Sequence, residues 1–563
     1  VSLTGTTPRW QIASAGFALE RTVTMDRGAN VTRVTWTNGW SEGPVTLKVG
    51  VLADFRDYHG RSFAGDAPPG IAVEGGAFRV AGPHGHDLCV ALDGAEAAPG
   101  GRYYSGFDLA QERARGLTDV EDHLHVGDLT VTLAPGASVQ LLASVGAMLP
   151  ADPLAGEKTE RHERTLLERF AAAAPHHGQA PDWVRRLVLA ADQFVVDRRL
   201  ADGSAGKTVI AGYHWFADWG RDTMISLPGL TLTTGRPEVA ADILRAFAEV
   251  VDGGLVPNRF PDGGTPPEYN TVDASFWFID AIRAHLEATG DAAFAVSLWP
   301  VLEAMVDALE AGTRYGIKID GDGLIRAGEE GVQLTWMDAR IGDWVVTPRR
   351  GKPIEVNALW IANLRFLIDL AGRSGADPSR YEALLARATE GFERFWNAEA
   401  DMPYDVIDGP GGHEATIRPN MIFAALDRCG VFTPERRRRI VDVVSRHLYT
   451  PAGLRSLAPG DEGYRPHYGG DQTARDAAYH QGTVWAWLIG PFVEAHLDAY
   501  GNPERAAALL APMADQLDLG CLGTINEIFE AEPPHDPRGC VAQAWSVAET
   551  LRAWSLVQAR RPD

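Results

Sequence analysis

The stretch Pro175-His-His-Gly-Gln-Ala-Pro181 separates two kinds of hydrophobic pattern, and this change of pattern decides the fold. Before it, short runs such as residues 31–37, 46–52 and 129–134 alternate apolar and polar side chains, which is typical of half-buried strands. After it, long segments repeat apolar residues every three or four positions, as amphipathic helices do. The pattern therefore predicts a β domain followed by a helical domain.

The first domain is predicted to be a β-sandwich over residues 1–155. Gly and Pro clusters fall between its strand-like runs, where hairpin connections are expected, and so many alternating strands favour two packed sheets. Because the first strand-like run begins almost at once, we expect part of this domain to precede Val1. A charged helical stretch and the stretch quoted above form a predicted linker over residues 156–180.

The second domain, residues 181–563, is predicted to be helical throughout. With too few strands for a parallel sheet, about a dozen helices must pack on one another, and we expect an (α/α)6 toroid of six inner and six outer helices. Its loops at one end would carry the function. The predicted class is α+β multidomain. Helices are expected over residues 182–199, 239–251, 274–287, 292–315, 355–371, 381–398, 434–447, 484–500, 503–517 and 541–558, with shorter ones near Asp222 and Arg418.

Composition and charge exclude several classes of protein. Of 563 residues 45% are hydrophobic and 23% charged, which is ordinary for a folded chain and excludes a mainly disordered one. The net charge of −23 repels phosphate backbones and anionic lipid, so we expect neither nucleic-acid nor membrane partners. Four scattered cysteines are too few for a disulfide framework or a metal motif, and they favour a cytoplasmic setting.

Four loop clusters in the helical half combine Trp with carboxylates, Arg or His. Neutral sugars bind to aromatic faces and polar side chains, and two carboxyl groups break their glycosidic bonds. The clusters therefore indicate a site for carbohydrate chemistry. They are Tyr213-His-Trp-Phe-Ala-Asp-Trp-Gly-Arg-Asp222, Thr335-Trp-Met-Asp-Ala-Arg-Ile-Gly-Asp-Trp344, Arg475-Asp-Ala-Ala-Tyr-His-Gln-Gly-Thr-Val-Trp485, and Asn526-Glu-Ile-Phe529 followed by Ala544-Trp-Ser-Val-Ala548.

In this order the clusters resemble the helical domain of glycogen debranching enzymes of the amylo-α-1,6-glucosidase type and, more distantly, glucoamylases. The most specific part is Thr335-Trp-Met-Asp338 with Gly342-Asp-Trp-Val-Val-Thr-Pro-Arg349 and Gly351-Lys-Pro-Ile-Glu-Val-Asn357. The resemblance covers nearly the whole chain, because a β-sandwich also precedes the toroid in bacterial and archaeal members. It implies an inverting, exo-acting α-glucosidase that removes α-1,6-linked glucose at branch points, without a cofactor or metal.

The resemblance also implies the catalytic pair. Asp338 would be the general acid, protonated near neutrality by partial desolvation between Trp336 and Trp344, with a helix-capping Asp as the alternative. Glu527 would be the general base, although Glu530 and Glu532 stand close in sequence. An inverting pair is expected to stand about 6.5–9.5 Å apart.

Arg221 and Asp222 resemble the pair that grips the non-reducing glucose in this clan. For these and the weaker candidates, a structural hydrogen bond or ion pair remains the alternative. The further candidate substrate contacts are Trp219, Tyr269, Asp273, Trp336, Asp343, Trp344, Lys352, Glu355, Arg475, Asp476, His480, Gln481 and Trp485.

The expected partner is glycogen, a limit dextrin or a branched maltooligosaccharide. Two alternatives stay open: a related glucoamylase- or trehalase-like enzyme acting on another linkage, and a glycan-binding protein without catalysis. We expect no transferase activity. The polar stretch Asp54-Phe-Arg-Asp-Tyr-His59 follows a predicted strand, and it either shapes the subsites beyond the scissile bond or forms an interdomain contact.

Overall fold

The structure is a computed structural model, and it describes residues 1–563 except 40–41, 65–68, 148–151, 153, 200–202, 204, 261–265 and 563. It divides into two compact units, Val1–Leu166 and Leu167–Asp563. Each unit has its own hydrophobic core, so each is described by itself.

The first unit is built from two antiparallel sheets. One has eight strands in the order β1-β2-β3-β4-β11-β8-β7-β6, and the other has three in the order β5-β10-β9. The strands are β1 Ser2–Thr4, β2 Thr7–Ser14, β3 Phe17–Met25, β4 Val31–Asn38, β5 Val45–Ala53, β6 Ile71–Glu74, β7 Ala77–Val80, β8 Leu88–Leu92, β9 Glu96–Asp108, β10 Val120–Leu133 and β11 Ser138–Val145.

A single core joins these two sheets. Phe78 and Val90 from the larger sheet are buried together with Val51, Leu124 and Leu129 from the smaller one. The alternation along each strand sends these apolar side chains inward, and burying them is the main driving force for packing the sheets face to face. The predicted β-sandwich is therefore confirmed.

The second unit is dominated by helices. Over the residues that the structure describes, counting those of the first unit, the α-helices are α1 Ala110–Ala114, α2 Ala155–Ala173, α3 Asp182–Gln193, α4 Gly220–Leu227, α5 Pro237–Ala248, α6 Asp273–Thr289, α7 Ala292–Ser297, α8 Trp299–Ala311, α9 Ile354–Ser374, α10 Ser379–Phe392, α11 Pro434–His447, α12 Gln472–Ala478, α13 Ile489–Tyr500, α14 Pro503–Leu510 and α15 Ala544–Ala559. A π-helical turn lies at Pro228–Leu232 and a long 3-10 helix at Pro419–Ala425.

Six inner elements form a closed ring in the described part of this unit. Each element packs on the next, and the last, α15, packs on the first, α4. Their order is α4, α6, α9, Pro419–Ala425, α13 and α15. The outer elements α3, α5, α7 with α8, α10, α11 and α14 alternate with them along the chain and pack against them. The predicted (α/α)6 toroid is confirmed, although one inner element is a 3-10 helix.

Several predicted helices differ from the observed ones, and two of them do so for clear local reasons. The prediction for 182–199 is too long, because α3 ends at Gln193 and residues Val195–Arg199 pair as a strand with Ala205–Val209. Two consecutive β-branched valines at 195 and 196 favour that strand. The prediction for 292–315 is divided at Leu298, because Pro300 in the first turn of α8 has no N–H to donate to a carbonyl oxygen of the preceding turn, so α7 does not continue through it.

Short antiparallel strands connect the helices. In the described residues of this unit every strand pair is antiparallel. One five-stranded sheet joins Tyr449–Thr450, Gly453–Arg455, Val484–Trp485, Ile528–Phe529 and Pro537–Arg538. Besides these and the pair Val195–Arg199 and Ala205–Val209, the strands described in this unit are Gly212–Tyr213, Asp218–Trp219, Arg259–Phe260, Lys318–Ile319, Ile325–Arg326, Arg340–Ile341, Trp344–Val345, Lys352–Pro353, Trp396–Asn397, Met402–Pro403, Val406–Gly409, Gly412–Glu414 and Ala542–Gln543. Among the helices described, none is long and apolar enough to cross a membrane.

The toroid also explains why the four clusters can meet. Inner and outer helices alternate along the chain, so the inner helices run in one direction and their N-termini lie at one end of the ring. The four clusters precede or open the inner helices α4, α9, α13 and α15. Residues far apart in sequence are thereby brought to one end of the unit.

Candidate active site

Arg221, in the first turn of α4, joins two of the clusters. Its Nη1 donates to Oδ2 of Asp338 at 2.9 Å, and its Nε donates to both oxygens of Asp273 at 2.8 and 3.0 Å. Nη2 completes the set by donating to Oγ1 of Thr271 and to the carbonyl oxygen of Leu334. Arg221 is 3% exposed, so these protein groups occupy all three nitrogens of a buried guanidinium.

Asp338 presents a partly exposed carboxyl group at this site. Its side chain is 30% exposed, whereas the side chains of Arg221 and Asp273 are almost completely buried. Burial raises the pKa of the Asp338 carboxyl above its ordinary value, although the Arg221 charge and hydrogen bond lower it. Because Arg221 binds Oδ2, the other carboxyl oxygen is left to take part in proton transfer.

Glu527 lies beside the strand Ile528–Phe529 and is 3% exposed. The Tyr479 hydroxyl donates to its Oε1, and the backbone N–H of Cys540 donates to its Oε2 at 3.0 Å. Burial raises the pKa of Glu527 to about 7, while these two hydrogen bonds lower it and the charge of Asp338 raises it further. Glu527 is therefore a buried carboxyl group that changes protonation near neutrality.

Asp222 is a third carboxyl group of the same site. Burial raises its pKa to about 8, and the charges of Glu527 and Asp338 add to the increase, against the opposing charge of Arg221. The Gln543 side chain donates to its Oδ1 at 3.3 Å. The charge of Asp338 raises the pKa of both Glu527 and Asp222, so these three carboxyl groups form one electrostatic cluster.

Aromatic rings form a wall beside the carboxyl groups. The Trp336 ring meets His480 at 5.4 Å and Trp485 at 5.2 Å between ring centroids, both edge to face, and its Nε1 donates to Asn420 at 2.7 Å. His480 stacks on Trp485 with centroids 4.9 Å apart. Burial lowers the pKa of His480 well below its ordinary value, so this imidazole is neutral.

Buried ion pairs support this aromatic wall. Arg349 donates to both oxygens of Asp405 and of Glu355, all within the protein interior. Asp405 in turn accepts from Asn420, the residue that holds Trp336. Gln481 donates to the carbonyl oxygen of Val346 at 3.2 Å, which fixes the loop after Asp338. Glu355 and Gln481 therefore contact protein groups that support the wall.

Several predicted contacts lie in other surroundings. Lys352 is buried among the carboxylates of Asp320, Asp322 and Asp408, at 2.8–3.0 Å. Arg475 donates to the Gly470 carbonyl oxygen. The remaining candidates lie as follows: the Tyr269 hydroxyl donates to the Val250 carbonyl oxygen, Trp219 faces Arg259, Asp476 is half-buried, and Asp343 and Trp344 are exposed on a hairpin.

The alternatives to Glu527 have other partners. Glu530 accepts from the Tyr468 backbone N–H at 3.1 Å and from Arg538 at 2.8 Å, and exposed Glu532 accepts from the Tyr464 hydroxyl at 2.6 Å. None of these hydrogen bonds joins them to Asp338 or Asp222. The charge of Asp338 raises the pKa of Glu527, which links Glu527 to the Asp338 side of the site.

Sequence reasoning did not single out Tyr479, Cys540 or Gln543. Tyr479 lies inside the third cluster, and a hydroxyl next to two predicted contacts is a signal that could have been used. The Cys540 contribution comes from its backbone N–H, which no side-chain pattern reveals. Gln543 reaches Asp222 from a segment 321 residues away in sequence.

A separate cavity of about 700 Å³ lies among the inner helices and is lined in part by Met224 and Trp277. Neither Asp338 nor Glu527 lines it. The charged groups that do, such as Glu494 and Arg552 at 2.6 Å, neutralise one another. We therefore place the candidate active site at the carboxyl cluster and not in this cavity.

Comparison with known proteins gives two family matches. A family profile described as amylo-alpha-1,6-glucosidase matches residues 189–552, and one described as glycogen debranching enzyme N terminal matches residues 1–140. The glycogen debranching enzyme of Saccharomyces cerevisiae is 27% identical over 370 residues, which cover 49% of this chain and 24% of the yeast protein. The match thus extends over about a quarter of that relative's length.

Solved structures with a similar backbone include the GH63 mannosylglycerate hydrolase from Thermus thermophilus. Its complex with Tris has a TM-score of 0.49 and 16% sequence identity, covering 66% of this chain and 99% of that one. Its complex with glucose has a TM-score of 0.48 and 17% identity over the same shares.

Proposed function

Because the chain belongs to the amylo-alpha-1,6-glucosidase family, we propose that it is an inverting, exo-acting α-glucosidase that removes α-1,6-linked glucose at branch points of glycogen or limit dextrins. Family membership confirms the resemblance seen in the sequence and makes the chain a glycoside hydrolase. The linkage, the stereochemistry and the substrate are the proposed part. One observation carries the proposal: Asp338 and Glu527 lie in one electrostatic cluster, and the pKa of each is raised.

Asp338 is the general acid of the proposed reaction. A raised pKa keeps its carboxyl protonated closer to neutrality, which a proton donor to the leaving oxygen requires. Arg221 binds Oδ2 at 2.9 Å and so fixes the carboxyl plane, leaving Oδ1 to carry the proton. As the proton leaves, the Arg221 charge stabilises the resulting carboxylate.

Glu527 is the general base that activates water on the other side of the sugar ring. Its two oxygens accept hydrogen bonds from the Tyr479 hydroxyl and from the Cys540 backbone N–H. Because both oxygens act as acceptors, these hydrogen bonds favour the ionised carboxylate. A pKa of about 7 makes its carboxylate a stronger base than an exposed one. In an inverting reaction this group takes a proton from water and forms no bond to the sugar.

Asp222 and the aromatic wall bind the glucose in this proposal. A buried carboxyl beside the catalytic pair can accept hydrogen bonds from sugar hydroxyls, and the rings of Trp336 and Trp485, which contact each other edge to face, would pack against an apolar face of the sugar. All three nitrogens of Arg221 already donate to protein groups, so in this proposal its role is to position Asp338.

The four cysteines form no disulfide, which supports the proposed cytoplasmic setting.

The experiment that tests the function is a substrate panel of branched limit dextrin, panose, isomaltose, maltotriose and trehalose. We expect the highest kcat/KM for the branched dextrin. Preference for maltotriose or trehalose would instead assign the chain to another linkage. Tight glucan binding with no glucose release from any substrate would assign it to glycan binding.

Proton NMR of the first glucose released tests the stereochemistry. An inverting enzyme acting on an α linkage releases the β anomer before mutarotation. The α anomer as first product would contradict the proposed roles of Asp338 and Glu527.

A further inference from the structure

Three side chains of the first unit are brought together by strand register. In the pairing of β10 with β5, Leu124 lies opposite Ala53, so the next position places His123 beside Asp54, directly after β5. Glu121 stands two residues before His123 on β10. The pairing of β10 with β9 is irregular between these two residues, and Oε1 of Glu121 lies 3.6 Å from Nε2 of His123. The cluster therefore rests on a paired sheet.

Hydrogen bonds within the cluster leave specific atoms unsatisfied. Nδ1 of His123 donates to Oδ2 of Asp54, and Nε2 of His123 stands 3.6 Å from Oε1 of Glu121. Oε1 of Glu121 also accepts from Arg56 at 3.0 Å. Within the residues that the structure describes, Oδ1 of Asp54 and Oε2 of Glu121 are buried without a hydrogen-bond partner. The Glu121 side chain is 4% exposed.

With a neutral ring, this arrangement favours a cation between the ring and Glu121. With its hydrogen on Nδ1 donated to Asp54, the imidazole presents a lone pair at Nε2 toward a carboxylate, and two acceptors do not attract each other. A buried carboxylate oxygen without a donor is also costly. A metal ion bound to Nε2 of His123 and to the Glu121 carboxylate would pair the lone pairs of both groups. Arg56 reaches Oε1 of Glu121 and leaves the other atoms without a donor.

The spacing fits a transition ion. Two ligand atoms that each lie about 2.0–2.1 Å from a tetrahedral Zn²⁺ are roughly 3.4 Å from each other. This is close to the 3.6 Å between Nε2 of His123 and Oε1 of Glu121. One ligand atom from each of the three residues lies within 4.8 Å of the other two. A carboxylate that accepts the second ring N–H of a metal-bound histidine is the usual outer partner of such ligands.

We propose that Asp54, Glu121 and His123 form a binding site for one divalent transition ion of the Zn²⁺ type. Nε2 of His123 and the Glu121 carboxylate bind the ion, Asp54 fixes the ring through Nδ1, and water completes the coordination. An imidazole ligand favours Zn²⁺ over Mg²⁺ and Ca²⁺, which prefer oxygen ligands. The site lies in the first unit, and none of its three residues belongs to the candidate active site.

The bound ion would have a structural role. Asp54 begins the stretch Asp54–His59 that follows β5, and its hydrogen bond to His123 ties this stretch to β10. Because an ion that binds only the folded state stabilises it by mass action, loading the site should raise the unfolding temperature of the first unit.

The test uses the full-length chain after chelator treatment and dialysis. We expect uptake of one Zn²⁺ per chain at this site, measured by calorimetry and elemental analysis, without competition from millimolar Mg²⁺. Glu121→Gln and His123→Ala should each bind one ion fewer. Asp54→Asn should weaken binding by about 10–100-fold, as loss of an outer partner does.

The matched control is His59→Ala. His59 also pairs with an aspartate, Asp57, at 3.1 Å, but both side chains are more than 60% exposed. This variant should bind Zn²⁺ like the original chain. If His59→Ala loses the ion as His123→Ala does, the binding is adventitious and the proposal is wrong.

Two further outcomes would overturn the proposal. The first is a chelator-treated chain that takes up no stoichiometric Zn²⁺, which would mean that a protonated His123 alone bridges the carboxylates. The second is an equal Zn²⁺-induced rise in unfolding temperature for the original chain and for Glu121→Gln. Circular dichroism of each variant checks that the fold is retained.

Discussion

At the scale of single residues, the proposed reaction depends on two carboxyl groups held by different partners. Asp338→Asn and Glu527→Gln keep the shape of each side chain but remove its proton chemistry. We expect each to lower kcat on branched dextrin by about 10²–10⁴-fold while Kd changes little. Steady-state kinetics and calorimetry measure the two constants. Glu530→Gln is the control, and an equal loss of kcat in that variant would count against Glu527 as the base.

Tyr479 gives a second prediction at this scale, because its hydroxyl donates to Glu527 and thereby lowers the pKa of that group. Tyr479→Phe removes the donor, so the pKa of Glu527 should rise above about 7. A base must be deprotonated to act; the acidic limb of the kcat/KM profile should therefore move to higher pH, by about one unit for a hydrogen bond to a charged group.

The pH profile also distinguishes the two roles of Glu527. Movement of the alkaline limb, with the acidic limb unchanged, would mean that Glu527 acts as the acid. Tyr213→Phe is the matched control, because the Tyr213 hydroxyl donates to the Gln193 carbonyl oxygen and not to Glu527. Its profile should stay where it is.

At the scale of elements, the closed inner ring requires a residue without a side chain at Gly229. A Cβ at this position would lie 2.1 Å from the carbonyl oxygen of Ala548 in α15, a backbone atom that cannot move aside cheaply. Gly229→Ala should therefore lower the free energy of unfolding by about 1–3 kcal/mol or more. Urea unfolding followed by Trp fluorescence measures it.

Gly372 is the control for that prediction. It lies near the end of α9 with nothing within 4 Å of an added Cβ. Gly372→Ala should leave stability unchanged or raise it by up to about 1 kcal/mol, because Ala is the better helix former. If both variants were equally stable, the helical segment after α4 would not be in backbone contact with α15.

Element boundaries also reveal the limits of pattern reasoning. The predicted helix 434–447 coincides with α11, where Thr433 accepts a cap hydrogen bond and Pro434 opens the helix. In contrast, residues 484–488 fit a helical period but form a strand and a 3-10 turn before α13. There, Trp485 pairs with Leu454 and Ile528 on neighbouring strands, and the local sequence does not predict these distant partners.

At the scale of the whole molecule, the described residues form one β-sandwich and one helical toroid. The roles proposed for Asp338 and Glu527 are those of an inverting hydrolase, which forms no covalent glycosyl intermediate that could pass a glucan to another chain. We therefore expect that incubation with maltopentaose yields no longer oligosaccharides by chromatography. Appearance of such products would show that the toroid itself transfers glucan chains and would contradict a hydrolase limited to releasing glucose.

The candidate site was largely predictable from the sequence, whereas the contacts within it were not. The resemblance to glycogen debranching enzymes implied roles for Asp338, Glu527 and Asp222, and the structure brings these three carboxyl groups into one cluster. The same reasoning assigned Arg221 to the sugar, but its guanidinium binds Asp338 and Asp273. A sequence pattern gives the residue type that chemistry needs, but the partner of each group depends on which loops meet.

The sequence by itself determined the order of the two domains, the succession of helices and the four clusters, because hydrophobic period and residue type are local properties. Tertiary structure decided which carboxyl groups share an environment, so that the charge of Asp338 raises the pKa of Glu527 and of Asp222. It also decided that register sets Asp54 beside His123, which no spacing of cysteines or histidines indicated. Burial and electrostatic coupling arise only when distant segments exclude water together, and for that reason they belong to the fold and not to any stretch of the chain.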